Sequence, residues 1–250
     1  MSLRDYLFYE ESGITLYCGD SRKILPDLLG PFQCTSYCFE ECSSRCVLGP
    51  VVILADPPYG ISIVSGSAVG GAKPFGTIGG PVIAPTNTYM PVFGDDGPFD
   101  PSWLLKLSVP TILWGANHYA DRLPSSPTWL VWDKRTRDYS NNFADCELAW
   151  TNLGGPARMF RHEWNGLMRE SERDRRVHPT QKPVQLYEWI LNELIPPSAL
   201  VVDPYMGSGP SLEAAKLLGR RAIGIEIEPK YCEIAVKRLR QEVLGFAPRV

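Results

Sequence analysis

The chain has 250 residues, with 25 Lys and Arg against 28 Asp and Glu, and a formal net charge of −3 at pH 7. Hydrophobic residues make up 44% of it, enough to bury a core, which excludes a wholly disordered protein. No run of about 18 apolar residues occurs, which excludes an ordinary transmembrane helix. The N-terminus lacks an apolar signal region, which predicts a cytoplasmic protein.

Regular patterns in the sequence predict both strands and helices. Apolar runs rich in β-branched residues predict strands at 14–17, 51–55, 109–114, 128–132, 199–203 and 222–226. Helical periodicity and capping residues predict helices at 21–29, 184–195, 210–218 and 229–244. In the last third of the chain the two types alternate, which predicts parallel strands joined by right-handed crossovers. We therefore expect a single α/β domain over residues 1–250, with a Rossmann-like sheet and helices on both faces.

Two segments interrupt this pattern. Residues 60–98 contain nine Gly and five Pro, which predicts a flexible lid loop over a site, with a loop of no function as the alternative. Residues 134–177 are polar and rich in Arg, which predicts a small target-recognition insertion, with a solvated surface as the alternative. The formal charge is −6 over residues 1–133 and +3 over residues 134–250, so a polyanion would meet the second part first.

The seven Cys residues predict reduced thiols, because the count is odd and no secretion signal is present. Cys34, Cys38, Cys42 and Cys46 recur at every fourth position, within the spacing range of zinc ligands. In a straight helix the first and last of these would be about 18 Å apart along the axis, too far for one ion. We therefore predict no metal site and favour buried or loop thiols; zinc bound by a looped segment is the alternative.

A turn with two glycines follows the predicted strand at 199–203. In Asp203-Pro204-Tyr205-Met206-Gly207-Ser208-Gly209, the glycines would let the backbone approach a ligand near the next helix N-terminus. Glu226 ends the next predicted strand, where an acid can accept hydrogen bonds from both ribose hydroxyls of an adenosine. Leu212 stands at the third glycine position of the dinucleotide fingerprint, which counts against NAD and FAD. A plain α/β turn is the alternative.

A second motif, Asp56-Pro57-Pro58-Tyr59, follows the predicted strand at 51–55. The two prolines end the strand and fix the backbone, so that a carboxylate and a carbonyl can converge on one point. There they would accept hydrogen bonds from both N–H bonds of a planar exocyclic amine and favour a pyramidal, nucleophilic nitrogen. Tyr59 offers a flat surface on which an extruded base can stack. A proline-rich turn without function is the alternative.

Together the two motifs make the sequence resemble the DNA amino-methyltransferases that use S-adenosylmethionine. Their order, with Asp-Pro-Pro-Tyr before the variable polar region and the glycine turn last, resembles the beta class, as does His178-Pro179-Thr180-Gln181-Lys182-Pro183. The stretches at 114–118 and 131–134 look like small phage and prophage members. The resemblance runs from residue 16 to the last helix and implies a seven-stranded sheet, in a cytoplasmic enzyme of a bacterial or phage-infected cell.

The resemblance implies a role for each matching position. The catalytic motif that holds the target base would be Asp56, Pro57, Pro58 and Tyr59. The S-adenosylmethionine site would comprise Asp20, Asp56, Thr180, Gln181, Lys182, Asp203, Tyr205, Gly207, Ser208, Gly209 and Glu226. Within this set Glu226 would bind the ribose and Asp20 the adenine. Tyr205 replaces a more usual Phe and Pro210 a common Thr, and neither change removes the site.

The implied reaction is site-specific, direct methylation of the N6 amine of adenine in double-stranded DNA, because Asp at the first motif position leans towards adenine in this class. The alternatives are the N4 amine of cytosine and a non-catalytic nucleic-acid-binding subunit of the same fold. The residues expected to contact DNA are Lys134, Arg135, Arg137, Arg158 and Arg161. Because the net charge is low, non-specific affinity would be weak, and binding would depend on a local patch, a flipped base or a homodimer.

Overall fold

The structure is a computed structural model that describes residues 2–30, 50–61, 92–135, 144–165, 168–172 and 180–241. Several sequence predictions fall outside the described residues. They are the lid loop from residue 62 to residue 91, the four clustered cysteines, Arg137, and the first two residues of the 178–183 motif.

The described residues contain 11 strands. These are β1 (Leu7–Glu11), β2 (Ile14–Cys18), β3 (Val51–Ala55), β4 (Thr111–Trp114), β5 (Trp129–Asp133), β6 (Cys146–Thr151), β7 (Arg158–Arg161), β8 (Trp164–Asn165), β9 (Met168–Arg169), β10 (Leu200–Asp203) and β11 (Ala222–Glu226). Nine of them form one sheet in the order β1-β2-β11-β10-β3-β4-β6-β5-β7, and β8 and β9 form a separate antiparallel pair.

The centre of the large sheet is parallel, as the alternating pattern predicts. Strands β2, β11, β10, β3 and β4 run parallel to one another, and β6 lies antiparallel between β4 and β5. At the two edges, β1 pairs antiparallel with β2 and β7 pairs parallel with β5. The expectation of seven strands is therefore wrong for this chain, because the described sheet gains a strand at each edge.

Six α-helices are described. They are α1 (Leu3–Tyr6), α2 (Ser21–Leu29), α3 (Ser102–Leu105), α4 (Val184–Glu193), α5 (Pro210–Leu217) and α6 (Pro229–Arg240). Proline opens both α5 and α6, at a position where its missing N–H costs no hydrogen bond. None of the helices in the described ranges is long and apolar enough to cross a membrane.

The two faces of the sheet are covered by separate apolar clusters, which is typical of a doubly wound α/β fold. Strand β3 shows the alternation directly. Val52 and Leu54 belong to one cluster, whereas Ile53 and Ala55 belong to the other. Because both clusters are fully buried around β3, the residues that follow this strand emerge from a rigid support.

The predicted recognition insertion at 134–177 is not one separate unit. Its residues 146–151 form β6, which lies inside the large sheet, and Ala149, Trp150 and Thr151 are buried there. The polar composition of the segment concealed this short strand, which pairs with β4 and β5 on its two sides. What remains outside the sheet is β8 and β9 with the adjoining described residues. Their role in recognition stays a prediction.

Candidate active site

A cavity of about 390 Å³ opens where the parallel strands end. Its walls include the residues that directly follow β2, β3 and β10, together with Glu226 at the end of β11. Parallel strands bring their carboxyl ends to one edge of the sheet, and ligands of open α/β sheets bind at that edge. The volume lies within the range of small-molecule sites.

The turn after β10 brings backbone N–H groups to the cavity. Gly207 has a φ of +53° and Gly209 a φ of +78°, both in the left-handed region that favours glycine. A Cβ atom at Gly209 would lie 2.9 Å from the Cβ atom of Ala235 on α6, so this glycine also allows close helix packing. The Gly207 N–H donates a hydrogen bond to Oε2 of Glu226 at 3.0 Å.

Glu226 is the acid whose surroundings best fit a hydroxyl-bearing ligand. Its Oε1 accepts a hydrogen bond from the backbone N–H of Glu228 at 2.8 Å. Burial nevertheless raises its pKa to about 7, although these backbone donors act in the opposite direction. A ligand that donated further hydrogen bonds would favour the ionised form. The carboxylate lines the cavity and therefore fits the diol of a ribose.

Two of the predicted cofactor residues lie behind the cavity instead of lining it. The Asp203 carboxylate accepts hydrogen bonds from the Tyr205 N–H at 3.0 Å and from the Ser211 hydroxyl on α5. Burial raises the pKa of Asp203 to about 7. Gly209 precedes α5 and packs against α6. Both residues shape the turn and are absent from the cavity wall as described.

The other predicted cofactor residues line the cavity. They are Asp20, Asp56, Thr180, Gln181, Lys182, Tyr205, Gly207, Ser208 and Glu226. Asp20 also caps α2 by accepting a hydrogen bond from the Arg22 N–H at 2.9 Å. Gln181 donates to Oε2 of Glu172 at 3.1 Å, and Oε1 of Glu172 accepts from the Val184 N–H at the start of α4. Glu172 thus fixes the segment that carries Gln181.

The Asp56-Pro57-Pro58-Tyr59 turn forms another part of the same cavity wall. The Tyr59 hydroxyl donates a hydrogen bond to Oδ1 of Asp56. One face of the Tyr59 ring stacks on His118, with centroids 5.0 Å apart and planes 14° apart. Gly115 has a φ of +68°, and a Cβ atom there would lie 2.0 Å from the Tyr59 ring. His118 and Gly115 therefore fix the position of the ring.

Lys182 connects this turn with strand β6 of the same sheet. Its ammonium lies 2.6 Å from Oδ1 of Asp56, 3.1 Å from Oε2 of Glu147 on β6, and 3.0 Å from the Tyr59 hydroxyl. The Lys182 side chain is only 3% exposed. Oε1 of Glu147 lies 3.0 Å from the ammonium of Lys134. Four of these side chains alternate in charge and have no net charge, in the order Asp56, Lys182, Glu147 and Lys134. We call this row the Asp56–Lys134 charge chain.

The pKa shifts follow from burial and from these neighbours. Burial raises the pKa of Asp56 above its ordinary value, although Lys182 opposes the shift. Burial also acts to raise the pKa of Glu147, but Lys182 and Lys134 outweigh it and lower that pKa to about 2. Burial acts to lower the pKa of Lys182, but Asp56 and Glu147 raise it above its ordinary value. The ion pairs therefore keep Lys182 and Glu147 charged at neutral pH.

Most of the predicted DNA-contacting residues that the structure describes are paired with acids of the protein. Lys134 contacts Glu147, Arg135 lies 2.7 Å from Asp145, and Arg161 lies 3.4 Å from Asp133. Lys134 is also largely buried, which makes it a poor phosphate ligand. Arg161 and Arg158, both on β7, are exposed. Arg137 lies outside the described residues.

Sequence reasoning did not identify three residues of this site, namely Glu147, His118 and Asp95. Oδ1 of Asp95 accepts hydrogen bonds from the N–H groups of Gly60 and Ile61, at 2.8 and 3.1 Å, and so supports the turn after Tyr59. The signal that could have revealed Glu147 is the short apolar run at 148–150 that directly follows it, although the polar residues around that run conceal the strand. The sequence offered no comparable signal for His118 or Asp95.

Comparison with known families assigns the chain. A family model described as DNA methylase, which covers N6 and N4 enzymes, matches residues 111–237, or half of the chain. The chain belongs to this DNA methylase family. The match extends from β4 to α6 and so includes Glu147, Lys182, the glycine turn and Glu226.

Curated relatives of this DNA methylase chain match over parts of their length. The Type II methyltransferase M2.DpnII of Streptococcus pneumoniae is 35% identical over 136 residues, which cover 54% of this chain and 43% of that protein. The Type II methyltransferase M.HinfI of Haemophilus influenzae is 42% identical over 72 residues, 29% of this chain and 20% of that protein. The chain thus matches less than half of the length of these relatives.

Two solved structures share the fold. A crystal structure of an M1.HpyAVI-SAM complex has a TM-score of 0.52 at 20% identity, covering 91% of this chain and 100% of that chain. The cytosine-N4-specific PvuII DNA methyltransferase has a TM-score of 0.53 at 14% identity, covering 95% and 90% respectively. At these identities the similarity concerns the fold alone.

Proposed function

We propose that this protein transfers a methyl group from S-adenosylmethionine to the N6 amine of adenine in double-stranded DNA. The observation that carries the proposal is that the Asp56-Pro57-Pro58-Tyr59 turn and Glu226 line one cavity. A nucleoside-binding carboxylate and a group suited to an exocyclic amine therefore share one site. Membership of the DNA methylase family makes a DNA base the expected carrier of that amine.

The cofactor would occupy the part of the cavity between β2 and β11. S-adenosylmethionine supplies an electrophilic methyl group when bound. Glu226 would accept hydrogen bonds from the ribose hydroxyls, and Asp20 would accept one from the adenine amine. The turn at Tyr205, Gly207 and Ser208 would surround the methionine portion. The raised pKa of Glu226 fits this arrangement, because a buried carboxylate gains from additional hydrogen-bond donors.

The target amine would meet Asp56 and Pro57. The Asp56 carboxylate and the Pro57 carbonyl can each accept one N–H of the amine, which localises the nitrogen lone pair for attack on the methyl group. An adenine in a duplex cannot reach this cavity, so it must leave the base stack. Tyr59, held by His118 on one face, would stack against the extruded base on the other.

Adenine is preferred over cytosine in this proposal because Asp, and not Ser, opens the motif. Recognition of a specific DNA sequence would involve the described parts of residues 134–177 and the exposed Arg158 and Arg161 on β7. Since the curated relatives are Type II methyltransferases, the DNA modification step of a restriction-modification system is the expected setting. The beta class remains a prediction from motif order, and a phage-type origin remains a prediction from the stretches at 114–118 and 131–134.

The test is identification of the methylated nucleoside. The protein is incubated with methyl-labelled S-adenosylmethionine and unmethylated DNA of diverse sequence, and the digested nucleosides are separated by mass spectrometry. We expect label in N6-methyldeoxyadenosine. The matched control is Asp56→Asn, which keeps the size of the side chain and removes the charge.

The possible results separate the proposals. Label in N4-methyldeoxycytidine would replace adenine by cytosine as the substrate. Tight cofactor binding without label in any DNA base would favour a non-catalytic nucleic-acid-binding subunit. Equal label transfer by Asp56→Asn and by the unchanged protein would remove Asp56 from the mechanism.

A further inference from the structure

Glu147 is a half-buried acid that none of the motifs explains, yet it contacts the active site through Lys182. It lies on β6, between two lysines, at 3.1 Å from the Lys182 ammonium and 3.0 Å from that of Lys134. Lys182 in turn lies 2.6 Å from Asp56. The acid that receives the target amine and Glu147 therefore compete for one ammonium group.

This competition sets how strongly Lys182 neutralises Asp56. An ammonium bound to one buried carboxylate would cancel most of its charge, whereas an ammonium held between two carboxylates divides its field between them. A fully neutralised carboxylate is a weak acceptor for an amine N–H. An unpaired buried carboxylate takes up a proton, and its protonated oxygen then no longer accepts a hydrogen bond from the amine.

We propose that Glu147 is a positioning residue of the methyl-transfer site: Lys182 keeps Asp56 ionised, and Glu147 shares the Lys182 ammonium so that Asp56 remains a strong acceptor for the target amine. This inference rests on the proposed function, because it assigns Asp56 to the amine. Lys134 completes the arrangement by placing a second ammonium group beside the other oxygen of Glu147. Lys134 thus has a partner inside the protein, and its contact with DNA stays a prediction.

Among the described residues, no carboxylate other than those of Asp56 and Glu147 forms an ion pair with Lys182. Tyr59 donates to Asp56 from its own turn, and the remaining ionisable neighbours that interact with it electrostatically are Tyr119, Tyr187 and Asp203. The three tyrosines have raised pKa values and stay neutral at pH 7. Among the described residues, Lys182 and Glu147 act on the pKa of Asp56 in opposite directions, Lys182 lowering it and Glu147 raising it.

The experiment is a titration of Asp56 in the full-length protein without DNA. The aspartate carboxyl carbons are labelled with ¹³C, the Asp56 signal is assigned with Asp56→Asn, and its midpoint is followed by NMR. We expect Glu147→Gln to lower the Asp56 midpoint by about one pH unit. Lys182→Met should raise it. The matched control, Glu193→Gln at the exposed end of α4, should leave it unchanged.

The same variants are compared in single-turnover methyl transfer to DNA as a function of pH. We expect Glu147→Gln to lower the plateau rate about tenfold while the KM for DNA stays the same. The acidic limb of the pH–rate profile should move to lower pH in Glu147→Gln and to higher pH in Lys182→Met. Glu147→Asp, which restores the charge, should recover most of the rate. If Lys182→Met does not fold, Lys182→Gln takes its place.

Two results would overturn the inference. One is a Glu147→Gln variant whose Asp56 midpoint and plateau rate match those of Glu193→Gln. The other is a shift of the midpoint in the same direction for Glu147→Gln and Lys182→Met, which a purely structural role would produce. Failure of the unchanged protein to methylate DNA would contradict the proposed function instead, and the opposite NMR shifts would still be measurable in that case.

Discussion

The cavity has two parts, the proposed cofactor side around Glu226 and the proposed amine side around Asp56, and different groups hold the acid in each. On the cofactor side, the Glu226 carboxylate is held by backbone N–H groups from Gly207 and Glu228. On the amine side, Asp56 is held by side chains, namely Tyr59 and Lys182, and through Lys182 by Glu147. A backbone-built site tolerates changes of neighbouring side chains, whereas a site of buried ion pairs depends on each partner.

This contrast predicts a large stability effect on the amine side. Lys182→Met leaves Asp56 without its cation and Glu147 with only Lys134, in a largely buried region. Removal of one partner from a buried ion pair costs about 3–5 kcal/mol, so we expect a loss of that size in the free energy of unfolding. Urea denaturation at pH 7 measures it.

The matched control for this prediction is Lys216→Met on α5. Lys216 donates to a backbone carbonyl, that of Leu239, and has no part in the Asp56–Lys134 charge chain. We expect Lys216→Met to lower the free energy of unfolding by less than half as much as Lys182→Met. Equal losses for the two lysine variants would contradict the view that the charge chain stabilises the amine side.

The position of Tyr59 tests the amine side without changing a charge. Gly115→Ala places a Cβ atom in the space of the Tyr59 ring and also disfavours the positive φ of this residue. A displacement of about 1 Å at a reacting centre can lower the rate about a hundredfold, so we expect a loss of up to that size in methyl transfer. Cofactor affinity, measured by calorimetry, should change little. A parallel loss of cofactor affinity would show that the two sides are not separate.

On the cofactor side, the ionisation of Glu226 should determine the affinity for S-adenosylmethionine and the pH dependence of that affinity. Glu226 has a pKa of about 7 against an ordinary value of 4.5, so its proton stabilises the folded protein below about pH 4.5, and this contribution is lost as pH rises through 7. Ribose hydroxyls bind the ionised form, so the affinity for S-adenosylmethionine should increase as pH rises from 6 to 8.

Glu226→Gln should remove this pH dependence and weaken cofactor binding about tenfold or more, as expected for loss of charge-assisted hydrogen bonds. Calorimetric titration at several pH values measures both effects. The control is Glu233→Gln on the exposed side of α6. A Glu226→Gln variant that keeps the pH dependence of the unchanged protein would place the titrating group elsewhere.

The smallest effect is expected at the arginines that are predicted to contact DNA. Arg158→Ala, at an exposed position of β7, should weaken binding of all DNA sequences and lower the salt slope by about 1, as for one lost phosphate contact. Lys134→Ala should leave that slope unchanged, because its ammonium is paired with Glu147. Fluorescence anisotropy at several salt concentrations distinguishes the two. The reverse result would return Lys134 to the DNA interface.

The sequence predicted the residues near strand ends better than those that depend on strand pairing, for a physical reason. Asp56 directly follows β3, Glu226 ends β11, and Asp20 and the glycine turn come shortly after β2 and β10. Parallel strands place such ends together. Glu147 reaches the site only because β6 enters the sheet between β4 and β5, and its polar surroundings concealed that strand. Lys182 was identified as a site residue, but its contact with Glu147 depends on that same pairing.

Other differences have similar origins. Asp203 was predicted to contact the cofactor, yet its carboxylate turns towards Ser211 and the Tyr205 N–H and supports the turn from behind. A motif gives the position of such a residue in the chain but not the direction of its side chain. The stack of His118 on Tyr59 likewise depends on how the residues after β4 pack on the turn after β3.

The central claim is that the cofactor side and the amine side share one cavity, in which the protein methylates adenine. The most direct measurement is nucleoside mass spectrometry of DNA from a bacterium that lacks its own DNA methylation and produces either this protein or Asp56→Asn. The account predicts N6-methyldeoxyadenosine with the unchanged protein and a loss of at least about a hundredfold with the variant. Stable production of a protein that binds S-adenosylmethionine but leaves adenine unmethylated would contradict it.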